Sequence, residues 1–400
     1  MPIAFADRLN HVETSAIREL FKLLGKPGII SFAGGFPDSA LFDVDGLRAA
    51  SEAALRTESG AALQYGATEG YQPLREQLAA FMASKGVAAL APEELIVTTG
   101  SQQALDLIGK TLLNPGDKVI VEGPTFLATI QCFRLYGAEL ISAPIDGEGV
   151  QTERLEQLIA EHRPKLVYVI PTFGNPSGAL LNLERRKKLL QLAVQYQTVL
   201  VEDDPYGDLY FDAAPPLSLL ALSAQVPGSR DWLVHCGSLS KVLSPGLRLG
   251  WMIAPPELLA KATMCKQFSD AHTSTFAQAT AAQYLRAGRM PATLERVRQV
   301  YAERAQAMGA ALRQELGSAI DFVAPQGGLF IWARLTGAGG ALADGQQLAQ
   351  RAIAEGVAFV PGAPFYCQQP DPATLRLSFA TADVDKIRTG VARLARALQP

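Results

Sequence analysis

Five short apolar runs, each ending in small or polar residues, constrain this chain more than any other feature. They are ELIVTTG (94–100), KVIVEG (118–123), KLVYVIP (165–171), TVLVEDD (198–204) and WLVHCGS (232–238). Each is of strand length, and each is too continuously apolar for a strand that shows one face to water. Between them lie segments with helical spacing, such as SQQALDLIGKTLL, in which Leu105, Ile108 and Leu112 recur on one side. Buried strands alternating with helices predict an α/β fold: a parallel sheet covered on both faces.

After about residue 285 the texture changes. The charged helical stretch TLERVRQVYAERAQAMGAALRQEL (293–316) is followed by GGLFIWARL, VAFVPG and TLRLSFA, which read as strands of a smaller α+β unit. The expected organisation is a large α/β domain over 46–285. An N-terminal arm (1–45) and a smaller α+β domain (286–400) complete it. With 400 residues, 48% of them hydrophobic, there is ample material for two cores. Ligands of such folds bind in the crevice beyond the carboxyl ends of the strands or between domains.

Net charge is −3 and the charges are dispersed, which argues against nucleic acid or an anionic membrane surface as partner. Cys132, Cys236, Cys265 and Cys367 show no metal-ligand or paired spacing, so each reads as a small buried residue in a reducing compartment. The N-terminal MPIAFADRLN lacks the apolar core of a signal peptide. No apolar run approaches the roughly 20 residues of a membrane helix. A soluble cytoplasmic protein is expected.

The chemistry-bearing residues fall just past the strand ends. In TTGSQQ, Gly100 permits close backbone approach, Ser101 is placed to cap the following helix, and the free N–H groups of its first turn favour an anion. An ordinary strand-to-helix turn has the same composition. Phe126, after KVIVEG, suits either the core or stacking on a planar ligand. Asn175, in PTFGNPSG (171–178), is equally a turn residue or a side-chain amide for a ligand oxygen. VEDDPYGDLY (201–210) ends a buried strand on Asp203 and Asp204, with Tyr206 close behind, and carboxylates there need partners. A metal is a poor candidate: no histidine lies nearby, and consecutive strand residues point to opposite faces.

GSLSKVLSPGLRLG (237–250) is the most informative segment. Lys241 is the only lysine between Lys188 and Lys261, set among apolar and hydroxylic residues. A desolvated lysine near another cation loses its proton more readily and can add to a carbonyl. Arg248, Ser238 and the Ser101 helix start together suit a dianionic phosphate. A carbonyl-capturing lysine, a phosphate pocket, an aromatic plate, an amide and a phenol for a ring oxygen, and a carboxylate for a ring nitrogen are the contacts pyridoxal 5′-phosphate (PLP) requires.

SQQALDL, GNPSG, EDDPY, SLSK with an arginine seven residues on, and TLRLSF resemble the fold-type I PLP-dependent aminotransferases of class I/II. SFAGGFPD (31–38), LQYGATEGYQPLRE (63–76), VLSPGLR and VAFVPGAPF look like the 2-aminoadipate and kynurenine aminotransferase branch. The resemblance spans residue 14 to the C-terminus. It implies a large domain with a mostly parallel sheet plus a smaller α+β domain, and amino transfer from an L-amino acid to a 2-oxo acid by ping-pong half-reactions. Lys241 would hold the cofactor covalently and move the proton, Asp203 would pair with the ring nitrogen, and Asn175 and Tyr206 would bond the ring oxygen. Phe126 would stack, and Gly100, Ser101, Gln102, Ser238, Ser240 and Arg248 would surround the phosphate. Tyr65 would reach the phosphate of a neighbouring subunit, implying a homodimer with shared sites. Arg376, with Asn175 and Gly35, would receive the substrate α-carboxylate.

Phe126 stands where many relatives carry tyrosine, and Ser177 where threonine is more frequent. Arg18 sits where the 2-aminoadipate branch has an arginine able to meet a side-chain carboxylate, although an exposed arm residue fits equally. Arg18 suits a dicarboxylic substrate, whereas Phe36, Leu41 and Phe42 suit leucine-like or aromatic side chains. Two other outcomes of such a scaffold are a cysteine-conjugate β-lyase and a non-enzymatic regulator. The regulator would need a basic DNA-binding module, and the pattern here starts within the first tens of residues.

Overall fold

The structure, a computed structural model, describes residues 3, 5–11, 28–338 and 342–399. Its strands in chain order are β1 (Ile30–Ser31), β2 (Leu95–Thr98), β3 (Lys118–Gly123), β4 (Glu139–Asp146), β5 (Gly149–Val150), β6 (Leu166–Val169) and β7 (Val199–Asp204). They continue with β8 (Leu233–Ser238), β9 (Gly250–Ile253), β10 (Ile320–Phe322), β11 (Phe330–Leu335), β12 (Val357–Ala358), β13 (Val360–Pro361) and β14 (Thr374–Ser378). All five sequence runs are therefore strands.

Eight of them form one sheet in the order β2-β9-β8-β7-β6-β3-β4-β5. Pairing is parallel from β8 through β7, β6 and β3 to β4, while β9 runs against both β2 and β8. The sheet is mostly parallel, with β9 the reversed strand between two forward ones. GWMI, the β9 segment, is a four-residue apolar run, and a run that short carries no sign of its direction.

Side-chain alternation along β7 separates the two faces. Helix Ser101–Leu112 packs on helices Leu127–Leu135 and Pro256–Gln267, and helix Leu183–Tyr196 packs on Thr152–His162 and Leu219–Leu222. Glu202 bonds the first N–H groups of Leu219–Leu222, whereas Asp203 bonds Tyr168, whose ring meets Phe133 of Leu127–Leu135. Adjacent strand residues point to opposite faces, so the two helix groups cover opposite sides of the sheet. That coverage explains why β2, β6, β8 and β9 are buried at every residue.

A second sheet, β10-β11-β14-β13, is wholly antiparallel. Helices Met290–Leu316 and Val384–Leu398 pack on each other, and Met290–Leu316 also packs on β10 and β11. β1 pairs with β12 in parallel, which brings the segment after β1 up to the second sheet. Ala33, Val360 and Phe365 pack there in a small cluster. Among the described residues, no helix is long and apolar enough to cross a membrane.

Candidate active site

A cleft of about 390 Å³ opens beyond the carboxyl ends of β3, β6, β7 and β8, facing Arg376 of β14. Strand ends from one sheet supply Asp203 and Ser238, and the turns that follow strands supply Phe126, Asn175, Tyr206, Ser240, Lys241 and Arg248.

At one end lies an anion cradle. Ser101 begins the helix Ser101–Leu112, so N–H groups of its first turn have no partner within the helix. Gly100, not Ser101, holds the cap position: its φ is +77°, and no side chain caps the helix, so the expectation that Ser101 would cap is corrected. Gly100 has a steric reason as well, since a Cβ there would lie 2.6 Å from the Arg248 guanidinium. Arg248 Nη2 donates to the Thr99 carbonyl at 3.3 Å, which ties the arginine to the turn. Ser238 Oγ accepts the Ser240 N–H at 3.1 Å, and both serines line the cleft.

At the other end is a fixed cation. Arg376 is 3% exposed and lies between Phe330 and Phe365, 4.3 and 4.9 Å from the ring centroids. The β11–β14 register, which pairs Trp332 with Arg376, sets Phe330 diagonally across on the same face. Arg376 donates to Asn175 Oδ1 (2.8 Å) and the Ala33 carbonyl (2.9 Å), and its Nε is buried with no partner. Burial brings this guanidinium down to about 10, with Tyr206 opposing. An arginine held this way is short of acceptors, and a carboxylate supplies them.

Lys241 stands between these ends, its Nζ donating to the Gly35 carbonyl at 2.7 Å. Burial, and then the charges of Arg376 and Arg248, bring its amine down to about 8, with Asp203 opposing. Asn175 Nδ2 donates to Tyr206 Oη at 3.3 Å, so amide and phenol form one pair. Burial raises the Tyr206 phenol, with Arg376 opposing, and it stays protonated.

Asp203 tests whether the expected cofactor fits. It is 2% exposed, Oδ2 accepts the Tyr168 hydroxyl at 2.6 Å, and Oδ1 is buried without a partner although the residue lines the cleft. Burial pushes it up to about 6, against the pull of the Tyr168 bond. A half-satisfied buried carboxylate at the floor of a cleft calls for a donor carrying positive charge. A protonated ring nitrogen is such a donor, and the cradle, the lysine and the Phe126 face are the complementary parts. The donor set fits PLP.

The residues expected from the sequence mostly converge. Gly35, Ser101, Gln102, Phe126, Asn175, Asp203, Tyr206, Ser238, Ser240, Lys241, Arg248 and Arg376 line one cleft, and Gly100 lies beneath Arg248. Tyr65 does not line it; the ring is 86% exposed and meets His272 edge-on. Arg18 lies outside the described residues. Of the apolar trio, Phe36 lines the cleft, whereas Leu41 packs on the main core and Phe42 is absent from the lining; Leu127 and Phe365 supply apolar wall instead. The acidic trio diverges. Asp204 accepts the Gly207 N–H and lies 4.0 Å from Lys85, while Glu202 faces the opposite side of the sheet.

Three supporting residues carry no signal in the sequence. Arg186, fully buried, donates to the carbonyls of Leu181 and Pro171 and to Thr172, fixing the loop that carries Asn175. Lys266, also fully buried, donates to Gln103, Asp270 and Thr273, and Gln103 Oε1 accepts the Thr99 N–H behind the anion cradle. Tyr168 is the third.

Comparison with known proteins adds independent findings. Residues 32–394 match the family model of aminotransferase class I and II. A 2-aminoadipate transaminase of Thermus thermophilus is 44% identical over 99% of this chain and 96% of its own length. The crystal structure of an alpha-aminoadipate aminotransferase from Thermus thermophilus, complexed with N-(5′-phosphopyridoxyl)-L-leucine, superposes with a TM-score of 0.90 at 42% identity, covering 98% of this chain and 97% of that one. A kynurenine aminotransferase from Pyrococcus horikoshii gives a TM-score of 0.92 at 38% identity over 98% and 96%.

Proposed function

We propose a donor range for this chain, which belongs to the class I and II aminotransferase family and is a PLP-dependent transaminase. It takes dicarboxylic L-amino acids, such as 2-aminoadipate or glutamate, and large apolar or aromatic ones, and passes the amino group to a 2-oxo acid. The observation that carries this reading is the wall around Arg376: one fixed cation for the α-carboxylate, with Phe36, Phe126, Leu127 and Phe365 lining the same cleft. The breadth is supported by relatives named for 2-aminoadipate and for kynurenine, and by one crystallised with a pyridoxyl-leucine conjugate.

When bound, PLP supplies the carbonyl that takes up the amino group and a ring that spreads the negative charge developing at Cα. Arg376, with Asn175 and Gly35, receives the α-carboxylate. Lys241 holds the cofactor and then moves the Cα proton, a task suited to an amine lowered to about 8. Asp203 would accept the ring N–H, Asn175 and Tyr206 would bond the ring oxygen, and Phe126 would cover the ring face. Gly100, Ser101, Gln102, Ser238, Ser240 and Arg248 take the phosphate. The exposed Tyr65 reaches the partner's phosphate in a homodimer with shared sites. The division into 46–285 and 1–45 plus 286–400, and a cytoplasmic setting, belong to the same reading.

Lys241→Ala should abolish turnover and the visible absorbance of the covalently held cofactor; a variant with full activity overturns the assignment. In a half-reaction screen, loss of that absorbance should be fast with 2-aminoadipate, glutamate, leucine and aromatic donors. A response confined to small or cationic donors overturns the substrate reading. Arg18→Ala should raise KM for the dicarboxylic donors and leave the apolar ones nearly unchanged; equal losses overturn the role of Arg18 in selecting dicarboxylic donors.

A further inference from the structure

Tyr168 lies inside the apolar run of β6 and is 0% exposed. The β6–β7 register pairs Tyr168 with Val201, so Asp203, two residues further along β7, is its diagonal neighbour on the same face. That spacing is within reach of a long side chain, and the phenol spans it to donate to Asp203 Oδ2 at 2.6 Å. The ring is set from behind by Phe133, with centroids 6.1 Å apart and planes at 85°. Thr129 and Cys236 are the other polar side chains that bear on the phenol. The further charges that bear on Asp203 are Asp204, His235 and Glu202, all on the opposite face, and Lys241 in the cleft.

A carboxylate at the end of a strand can turn about its last torsion, which is broad and roughly two-fold. One occupied oxygen removes that freedom. Of the two oxygens of Asp203, one is spent on Tyr168 and the other has no protein partner. We infer that Tyr168 is a positioning residue for the cofactor, holding one oxygen of Asp203 from within the sheet so that the other is presented to the ring nitrogen. The donated bond also favours the ionised carboxylate over the neutral acid. A carboxylate kept ionised leaves the shared proton on the ring nitrogen, where it makes the ring a better acceptor of charge from Cα. Without the phenol the carboxylate competes better for that proton.

This inference rests on Asp203 facing the ring nitrogen, and the experiment separates the two. Holoenzyme is prepared with PLP labelled with ¹⁵N in the ring, for the wild type, Tyr168→Phe and Asp203→Ala. The ring-nitrogen shift is followed from pH 6 to 9, alongside cofactor affinity by fluorescence titration and thermal midpoints. The wild type should stay at the protonated position throughout. Tyr168→Phe should move toward the unprotonated position and bind PLP about tenfold more weakly, with kcat lowered and KM for the amino donor within twofold. If Asp203→Ala moves the nitrogen signal and Tyr168→Phe does not, Tyr168 has no positioning role. A lowered thermal midpoint with wild-type shift and affinity assigns it to packing and overturns the inference likewise. If Asp203→Ala itself leaves the signal unchanged, the facing of Asp203 and the inference fall together.

Discussion

Glu202 and Asp203 are consecutive on β7 and equally hidden, at 0% and 2% exposed, yet the two faces of the sheet treat them in opposite ways. Glu202 meets His235, its cross-strand partner on β8, at 2.8 Å, and also accepts the N–H groups of Leu219 and Leu220 at 2.6 and 3.1 Å. Burial alone would raise it, but the His235 bond and charge, the Arg186 charge and the Leu219 N–H outweigh burial and leave it below its ordinary value. Asp203 has one partner, Tyr168, and burial prevails. One carboxylate is completed by its own chain, and the other is left half complete where the cleft opens. The difference separates a carboxylate closed off within the fold from one with an oxygen left unpartnered at the cleft.

Reciprocal substitutions should break this pair apart. Asp203→Asn keeps the shape, removes the charge, and should lower kcat/KM about 10³-fold, roughly 4 kcal/mol at the transition state. Its unfolding free energy without cofactor should hold or rise, because a half-satisfied buried charge is gone. Glu202→Gln should do the reverse. Leaving His235 and the start of Leu219–Leu222 without their anion should cost about 3 kcal/mol of stability in urea unfolding. Turnover per folded molecule should change less than about threefold. Equal effects of both substitutions on kcat/KM would remove the distinction between the two faces.

The same contrast governs how much of the site is legible in the sequence. Asp203, Lys241, Asn175, Arg248 and Arg376 are polar residues at the ends of apolar runs or within short strands, and polar groups at such positions demand a reason. The convergence of the first four on one cleft follows from strands running in the same direction, which the runs and intervening helices already imply, whereas Arg376 arrives from the second, antiparallel sheet. The supports are a different case. Tyr168 reads as one more apolar residue of KLVYVIP. Arg186, in ERRKKLL, and Lys266, in MCKQF, sit in helical segments where charge ordinarily faces water. Their burial comes from acceptors that tertiary structure delivers, such as the Pro171 and Leu181 carbonyls or Gln103 and Asp270. No local pattern encodes those encounters. The exposure of Tyr65 in a single chain likewise expresses nothing that composition or spacing displays.

The smallest effect distinguishes the two carboxylates by the sign of their response to pH. Asp203 has a folded value of about 6, above its ordinary one, so the folded chain binds its proton more tightly than the unfolded chain. Its stabilising contribution is fully present below about pH 4 and is lost as pH rises to about 6, a change of about 2–3 kcal/mol. Glu202, lowered on folding, works oppositely: its contribution is present above its ordinary range and is lost as pH falls through the folded value. Glu122, buried at the end of β3 and pushed by burial up to about 8, adds a decline of the same sign as Asp203. The total curve therefore mixes the three, and a difference isolates one. Unfolding free energies of the cofactor-stripped wild type and Asp203→Asn, measured from pH 4 to 8, should differ by an amount that changes between pH 4 and 6 and is flat above. If Asp203 meets the ring nitrogen as proposed, the step should shrink in the presence of saturating PLP, because a cation beside Oδ1 would favour the ionised form. A difference curve flat from pH 4 to 6 would mean that Asp203 is as well satisfied as Glu202, and that the two faces of β7 are alike.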